Sequence, residues 1–354
     1  MQPYFELVKG LVKSRGSLFH GIWGVRGGVA LCLTSLLTCC ISLDLGDSRY
    51  DRRSIAVLYM SLFNQREAPR MGKSSWAGDW LFRRERLLLV DRFLRDRQPD
   101  ILIFQESMAR LGSSSESDLK IMSRGGLPGY DWDNFEVERY SDTQEAEYHG
   151  VAAGLPIKVV KLPKGFKRKW SLGPKGRMVM FLLEIEDQQI PVFNIEISGE
   201  FKDSRRWYKF IADEIEQVVY RNKFCPMRVV VSGRIPASYA SAGLTQFADR
   251  LNLKDISEGM CEVASDCYTA TPINEIYMNT TNGQAPAQLD RVLVHRSAFV
   301  TSSSIVLSKP TDDSSFKNSY GLDKIWPLER FGWYSLLRLG QCDAEDFLTK
   351  VGKN

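Results

Sequence analysis

Histidine is scarce in this chain: only His20, His149 and His295 occur among 354 residues. Chemistry that needs several imidazoles, as metal ligands or as relayed bases, has little to draw on. The seven cysteines bring no Cys-x-x-Cys with a nearby His pair, so their spacing does not suggest zinc. A dominant charge of one sign is also missing. The formal net charge of +4 on this length argues for neither a nucleic-acid binder nor a polyanion-repelling surface. No internal repeat and no long low-complexity segment is present. The apolar stretch at 28–43 is too short to span a bilayer comfortably.

What is present is a 44% hydrophobic fraction, ample for a sizeable core. Lys9, Lys13, Arg15 and Arg26 precede the apolar stretch, and polar residues follow it. This is the layout of a secretory signal. Leu36-Leu37-Thr38-Cys39 is similar to a bacterial lipoprotein cleavage site, in which Cys39 would be lipidated and become the mature N-terminus. Thr38 stands where a smaller residue is usual, and Cys40 follows directly. The expectation is an exported protein, periplasmic or anchored by lipid at Cys39; an uncleaved N-terminal helix is the alternative. Cys225, Cys261, Cys267 and Cys342 then remain, and Cys261 and Cys267 are close enough to bridge a short loop.

Pro99-Asp100-Ile101-Leu102-Ile103-Phe104-Gln105-Glu106 reads as an apolar strand that stops at a carboxylate. A short apolar run with β-branched members fits a strand covered on both faces, and its end delivers one acid to a site. A second apolar run, 55–63, closes with Asn64-Gln65-Arg66, and the charged stretch 81–97 joins the two with apolar residues at roughly helical spacing. Such a strand-helix-strand unit puts Asn64 and Glu106 at the same end of one sheet. An amide oxygen beside a carboxylate suits a hard divalent cation such as magnesium. A Glu106 that only faces water is the alternative.

Further strands are expected at 181–185, 190–197, 228–232 and 289–295, with helices at 204–220 and 244–251. Ser113-Ser114-Ser115 and Ser302-Ser303-Ser304 mark loops or edges, and 309–318 is polar and linker-like. Strands in short pairs with occasional helices indicate an α/β architecture of two packed mixed sheets flanked by helices, a four-layer sandwich. Lys161, Lys164, Lys167, Arg168 and Lys169 surround Phe166 and Trp170; such a patch meets phosphates or a membrane surface, or is a solvated loop tip.

Phe63-Asn64-Gln65-Arg66, Ser75-Trp76, Arg83-Arg84 and the run ending in Gln105-Glu106, in that order, resemble the endonuclease/exonuclease/phosphatase (DNase I-like) family. The signal-like layout covers 1–43, the resemblance implies one domain over 50–345, and 346–354 is left as a tail. The resemblance also implies that Asn64 and Glu106 help bind a metal, magnesium if any. Cys267 to Asn274, followed by Leu289-Asp290, is similar to the sphingomyelinase branch; Ser75-Trp76 and the segment from Tyr130 to Tyr148 are closer to the general secreted branch.

The later motifs depart from the family. Where an Asn-Thr-His is expected the chain has Asn194-Ile195-Glu196, and where a Gly-Asp-Phe-Asn is expected it has Gly233-Arg234-Ile235-Pro236. Leu289-Asp290 keeps an expected Asp, whereas a final Ser-Asp-His is replaced by Phe331-Gly332-Trp333-Tyr334. Hydrolysis of a phosphate ester needs a base or water-orienting group, charge compensation and a Lewis acid. The positions of Glu196, Arg234, Pro236, Gly332 and Trp333 lack the expected His and Asp, so the remnant pocket is Asn64, Glu106, Asn194 and Asp290; a new site in which Glu196 acts as a base or metal ligand and Arg234 supplies positive charge is the alternative. Glu196 and Arg234 are expected to pair, Trp333 to fill apolar space, and Glu147 to be a surface acid, with a site acid as the alternative.

The functional expectation is a catalytically degenerate phosphoesterase retained for binding an unidentified ligand or envelope partner. The alternative is an active atypical magnesium-dependent phosphodiesterase or phosphatase acting on a lipid head group, sugar phosphate or nucleic acid. A third reading makes the fold an inert scaffold for adhesion or envelope assembly.

Overall fold

The computed structural model describes residues 54–62, 83–110, 118, 120, 122, 127–140, 145–172, 176–197, 204–236, 242–258, 267–269, 288–308, 328 and 331–342. Asn64, Ser75-Trp76, Cys261, the stretch 270–287 and the whole N-terminal signal lie outside them.

Thirteen strands and three α-helices are described. In chain order they are β1 (Ile55–Ser61), α1 (Arg83–Arg97), β2 (Ile101–Arg110), β3 (Asp131–Tyr140), β4 (Glu145–Ala153), β5 (Lys158–Val160), β6 (Lys169–Ser171), β7 (Gly176–Ile185) and β8 (Gln188–Ile197). They continue with α2 (Ser204–Arg221), β9 (Val230–Arg234), α3 (Ala242–Arg250), β10 (Leu253–Asp255), β11 (Asp290–His295), β12 (Phe299–Val306) and β13 (Gly332–Arg338). One sheet runs β12-β13-β1-β2-β4-β3; the other runs β10-β11-β9-β8-β7-β5, with β6 beside β7. The pairs β1–β2 and β8–β9 are parallel, and the other pairs are antiparallel.

Period-2 alternation sorts the side chains into three apolar layers. Ile55, Val57, Ile101, Ile103, Val151 and Ala153 of the first sheet meet Val179, Phe181, Val192, Val230, Val292 and Val294 of the second. The opposite face of the first sheet, with Leu58, Met60, Leu102 and Phe104, is covered by Leu87, Val90 and Leu94 of α1. The opposite face of the second, with Met178, Met180, Phe193 and Val231, is covered by Tyr208, Ile211, Ile215 and Val219 of α2 and by Leu244 and Phe247 of α3. Each fully buried Leu, Ile or Val in these layers contributes about 1.5–3 kcal/mol. The four-layer sandwich is therefore present as expected from the sequence.

Two local features depart from or go beyond the sequence expectation, and a third agrees with it. β2 does not stop at Glu106: its register with β4 shifts between Phe104 and Ser107, and the strand runs on to Arg110. Glu106 sits in this bulge with φ +58°, so a turn in an ongoing ladder, not a strand end, places it. The serine triplet at 302–304 lies in β12, an edge strand of the first sheet, in agreement with the loop-or-edge reading. Cys225 is joined to Cys342 across 117 residues, a pairing with no local spacing to reveal it; Cys267 is also disulfide-bonded.

Candidate functional site

The alternation that builds the inter-sheet core turns polar at one end of that layer. Inward positions 101 and 103 lead to Gln105, 55 and 57 to Tyr59, 190 and 192 to Asn194 and Glu196, and 153 and 151 to His149 and Glu147. On β7, inward Val179 is preceded by Arg177, and on β11, inward Val292 is preceded by Asp290. Because neighbouring strands bring these ends together, the polar residues form two adjoining groups.

The first group is a closed hydrogen-bonded network around Gln105. Its amide Nε2 donates to Asn194 Oδ1 at 2.5 Å and to the Ile195 carbonyl at 2.8 Å. Asn194 Nδ2 donates to the Phe104 carbonyl at 2.9 Å, and the Arg234 backbone N–H donates to Gln105 Oε1 at 3.2 Å. The Tyr59 hydroxyl lies between Gln105 Oε1 at 2.9 Å and Asp290 Oδ1 at 3.0 Å. The Thr269 hydroxyl donates to Asp290 Oδ2 at 3.1 Å and accepts from the Leu289 and Asp290 backbone N–H groups. Trp333 closes the network: it is buried, and its indole N–H donates to the Asp290 carbonyl at 3.1 Å. Gly233 makes the close approach feasible, since a Cβ there would stand 1.9 Å from the Ile195 carbonyl oxygen and 2.6 Å from Gln105 Nε2.

The second group is ionic and joins the two sheets. Arg177 donates from Nε to Glu196 Oε2 at 2.5 Å, from Nη2 to Glu147 Oε1 at 3.1 Å and from Nη1 to Glu138 Oε2 at 3.1 Å. Tyr140 donates its hydroxyl proton to Glu147 Oε2 at 2.8 Å. His149 Nε2 lies 3.2 Å from Glu196 Oε2 and 3.4 Å from Glu147 Oε1, while Nδ1 has no hydrogen-bond partner. Both His149 and Glu147 are fully buried. Burial alone would push the Glu196 carboxyl up, but His149 and the Arg177 charge outweigh it and hold this acid well below the usual range. Glu147 moves the other way: burial, with the Glu196 charge, raises it against the pull of His149 and Arg177. Burial disfavours a charged His149, but the two carboxylates overcome that and raise its pKa. Glu147, His149 and Glu196 offer donor atoms within 4.8 Å of one another and form a group that could hold a metal ion.

A separate cleft of about 530 Å³ between α2 and α3, lined by Arg206, Lys209, Gly243, Gln246 and Arg250, lies on the outer face of the second sheet. Its Arg250 is already paired with Asp213 and Glu216, so the inter-sheet groups are the stronger candidate.

No protein-family model and no curated protein matches the chain. Solved structures do. A mannosyl-6-phosphatase of Bacteroides thetaiotaomicron is similar to it with TM-score 0.56 and 14% identity over 80% of this chain and 99% of that one. An endonuclease/exonuclease/phosphatase family protein of the same organism gives TM-score 0.55 and 13% identity over 82% and 99%. Truncated TDP2 of Caenorhabditis elegans gives 0.53 and 11% over 81% and 98%. The chain has the endonuclease/exonuclease/phosphatase, or DNase I-like, fold.

Within this DNase I-like fold, Asn194 and Asp290 of the expected remnant pocket meet through Gln105 and Tyr59, while Glu106 is buried at the adjacent bulge and Asn64 lies outside the described residues. Gly332 and Trp333 begin β13, and Pro236 follows β9. Two expectations need correction. Glu196 does not pair with Arg234, although the two are register partners on β8 and β9; its carboxylate meets Arg177 and His149 instead, because β7 presents Arg177 directly opposite it. Glu147 is not a surface acid, because its strand is covered by the second sheet. No motif singles out His149 or Arg177. The signal that reveals them is their inward parity with Val151 and Val179. The basic cluster at 161–169 is partly tied down: Arg168 pairs with Asp133 at 2.6 Å and Lys167 with Glu214 at 3.1 Å.

Proposed function

We propose that this chain is an exported protein of the endonuclease/exonuclease/phosphatase fold that no longer hydrolyses phosphoesters and keeps the fold for binding. The observation that carries this reading is the Glu196–Arg177 pair. Where the family resemblance places a histidine to compensate phosphate charge, this chain has an acid whose neutralising partner is already bonded to it at 2.5 Å. A substrate phosphate arriving there would meet carboxylates, and developing negative charge would be opposed instead of stabilised.

The magnesium implied by the resemblance fits the described residues poorly. Mg²⁺ keeps several waters in an octahedral shell. Glu106, Asn194 and Asp290 are at most 3% exposed, and the side-chain oxygens of the last two already accept from Gln105, Tyr59 and Thr269. Arg234-Ile235-Pro236 adds no water-orienting carboxylate beside them.

Export is supported by the signal-like N-terminus and by the Cys225–Cys342 bond, which belongs to an oxidising compartment. Lipid at Cys39 would hold the domain at a membrane surface; among the described residues no helix is long and apolar enough to cross one.

Purified protein assayed on bis(p-nitrophenyl) phosphate and p-nitrophenyl phosphate with Mg²⁺ or Mn²⁺ should show no turnover above the metal-only background. A metal-dependent rate that Glu106→Ala abolishes would overturn the proposal in favour of the hydrolytic alternative.

A further inference from the structure

His149 is an unusual buried histidine. It is fully enclosed, Nδ1 has no hydrogen-bond partner, and Nε2 faces two carboxylate oxygens at 3.2 and 3.4 Å. A histidine kept for packing normally gives one ring N–H to a fixed acceptor, and a metal-ligating one leaves one nitrogen for the ion. We propose that Glu147, His149 and Glu196 are a binding site for one divalent transition metal of the zinc class, with Arg177 as the resident cation that the metal displaces.

The donor set is suited to that class. One imidazole and two carboxylates lie within mutual reach, and three protein ligands leave a fourth position for water in a tetrahedral shell. A nitrogen donor favours zinc-class ions over magnesium, which prefers oxygen. The surrounding residues supply orientation. The Tyr140 hydroxyl fixes Glu147 through Oε2, leaving Oε1 on the His149 side. Outer contacts of this kind hold ligands in place and tune affinity.

Arg177 has an exit. Its guanidinium is anchored on the inner side to Glu196 and Glu147, and on the outer side to Glu138, whose side chain is 48% exposed. Swinging toward Glu138 would release both inner carboxylates without stripping the guanidinium of a counter-charge. Two carboxylates then face one divalent ion, whose charge balances theirs. The site shares Glu196 and Arg177 with the observation behind the proposed function but uses neither Glu106 nor Asp290, so Zn²⁺ binding and phosphoester hydrolysis are read by separate measurements.

Titration calorimetry of chelator-treated full chain with Zn²⁺ tests this, with Co²⁺ absorption as a spectroscopic readout of the ligands. One Zn²⁺ should bind per chain; the Co²⁺ spectrum should show d–d bands without thiolate charge transfer. His149→Gln and Glu147→Gln should each weaken binding at least tenfold, and Tyr140→Phe about tenfold. Arg177→Met should tighten it, and Glu138→Gln, which removes the counter-charge of the displaced guanidinium, should weaken it without changing the Co²⁺ bands. Absence of Zn²⁺ binding by the parent chain, or binding unchanged in His149→Gln, would overturn the proposal. Binding of Zn²⁺ with no phosphoesterase activity would support it and leave the functional proposal intact.

Discussion

Arg177 and Glu196 face each other across β7 and β8 as direct register partners, and Arg177 Nε donates to Glu196 Oε2 at 2.5 Å. The same guanidinium reaches Glu147 on the other sheet, so one residue ties the two layers together at their polar end. Coulomb attraction is strong there because the site is buried, and the cost of leaving either acid unpaired rises for the same reason.

Arg177→Met in metal-free protein should therefore lower stability by about 3 kcal/mol, since it strands two buried carboxylates. Adding Glu196→Gln to the same chain should recover part of the loss. Urea unfolding followed by fluorescence measures both. Equal and additive losses in the double variant would show that the pair does not interact.

Gly233 should not tolerate a side chain. Its φ is +132°, and a Cβ at this position would stand 1.9 Å from the Ile195 carbonyl oxygen, a backbone atom that cannot move aside as a flexible side chain does. Gly233→Ala should cost about 3 kcal/mol from strain and displacement of Gln105. A melting temperature unchanged from the parent chain would show that β8 and β9 relax apart.

The alkaline limb of stability should depend on Tyr208. Burial, opposed weakly by the Arg291 charge, pushes its phenol up to about 12 from the ordinary 10.0. The folded state thus favours the neutral phenol, while the unfolded chain ionises first. Stability from this group is intact below about pH 10 and falls as pH rises from there toward 12, by up to about 1.4 kcal/mol per pH unit. Tyr208→Phe should keep the ring contact with Phe247, at 5.8 Å between centroids, and flatten that fall. Denaturant midpoints at pH 8, 9.5 and 11 decide; parallel slopes in the two proteins would contradict it.

Much of the sandwich is legible in the sequence because alternation and helical spacing are local properties. The runs at 55–63, 190–197 and 289–295 and the helices at 204–220 and 244–251 lie close to β1, β8, β11, α2 and α3. β3, β12 and the continuation of β2 are less legible. They are partly exposed or bulged, with mixed polar residues, so burial does not mark them.

Residue order carries the parity that Glu147, His149, Arg177, Asn194 and Glu196 share with the core residues beside them, but only the structure shows that β4 is a buried strand, which is why Glu147 reads as a surface acid in the sequence. Residue order also fixes which residues stand where the family resemblance expects histidines and a water-orienting acid, for those are identities at positions. The partners come from packing. Glu196 stands next to Arg234 in register, yet a side chain bonds to what its own face meets, and the closing of the sheets sets that face against Arg177 and His149. Glu147 and His149 on one sheet join Arg177 and Glu196 on the other in one ionic group because the two sheets close over them, a long-range fact that no local pattern encodes.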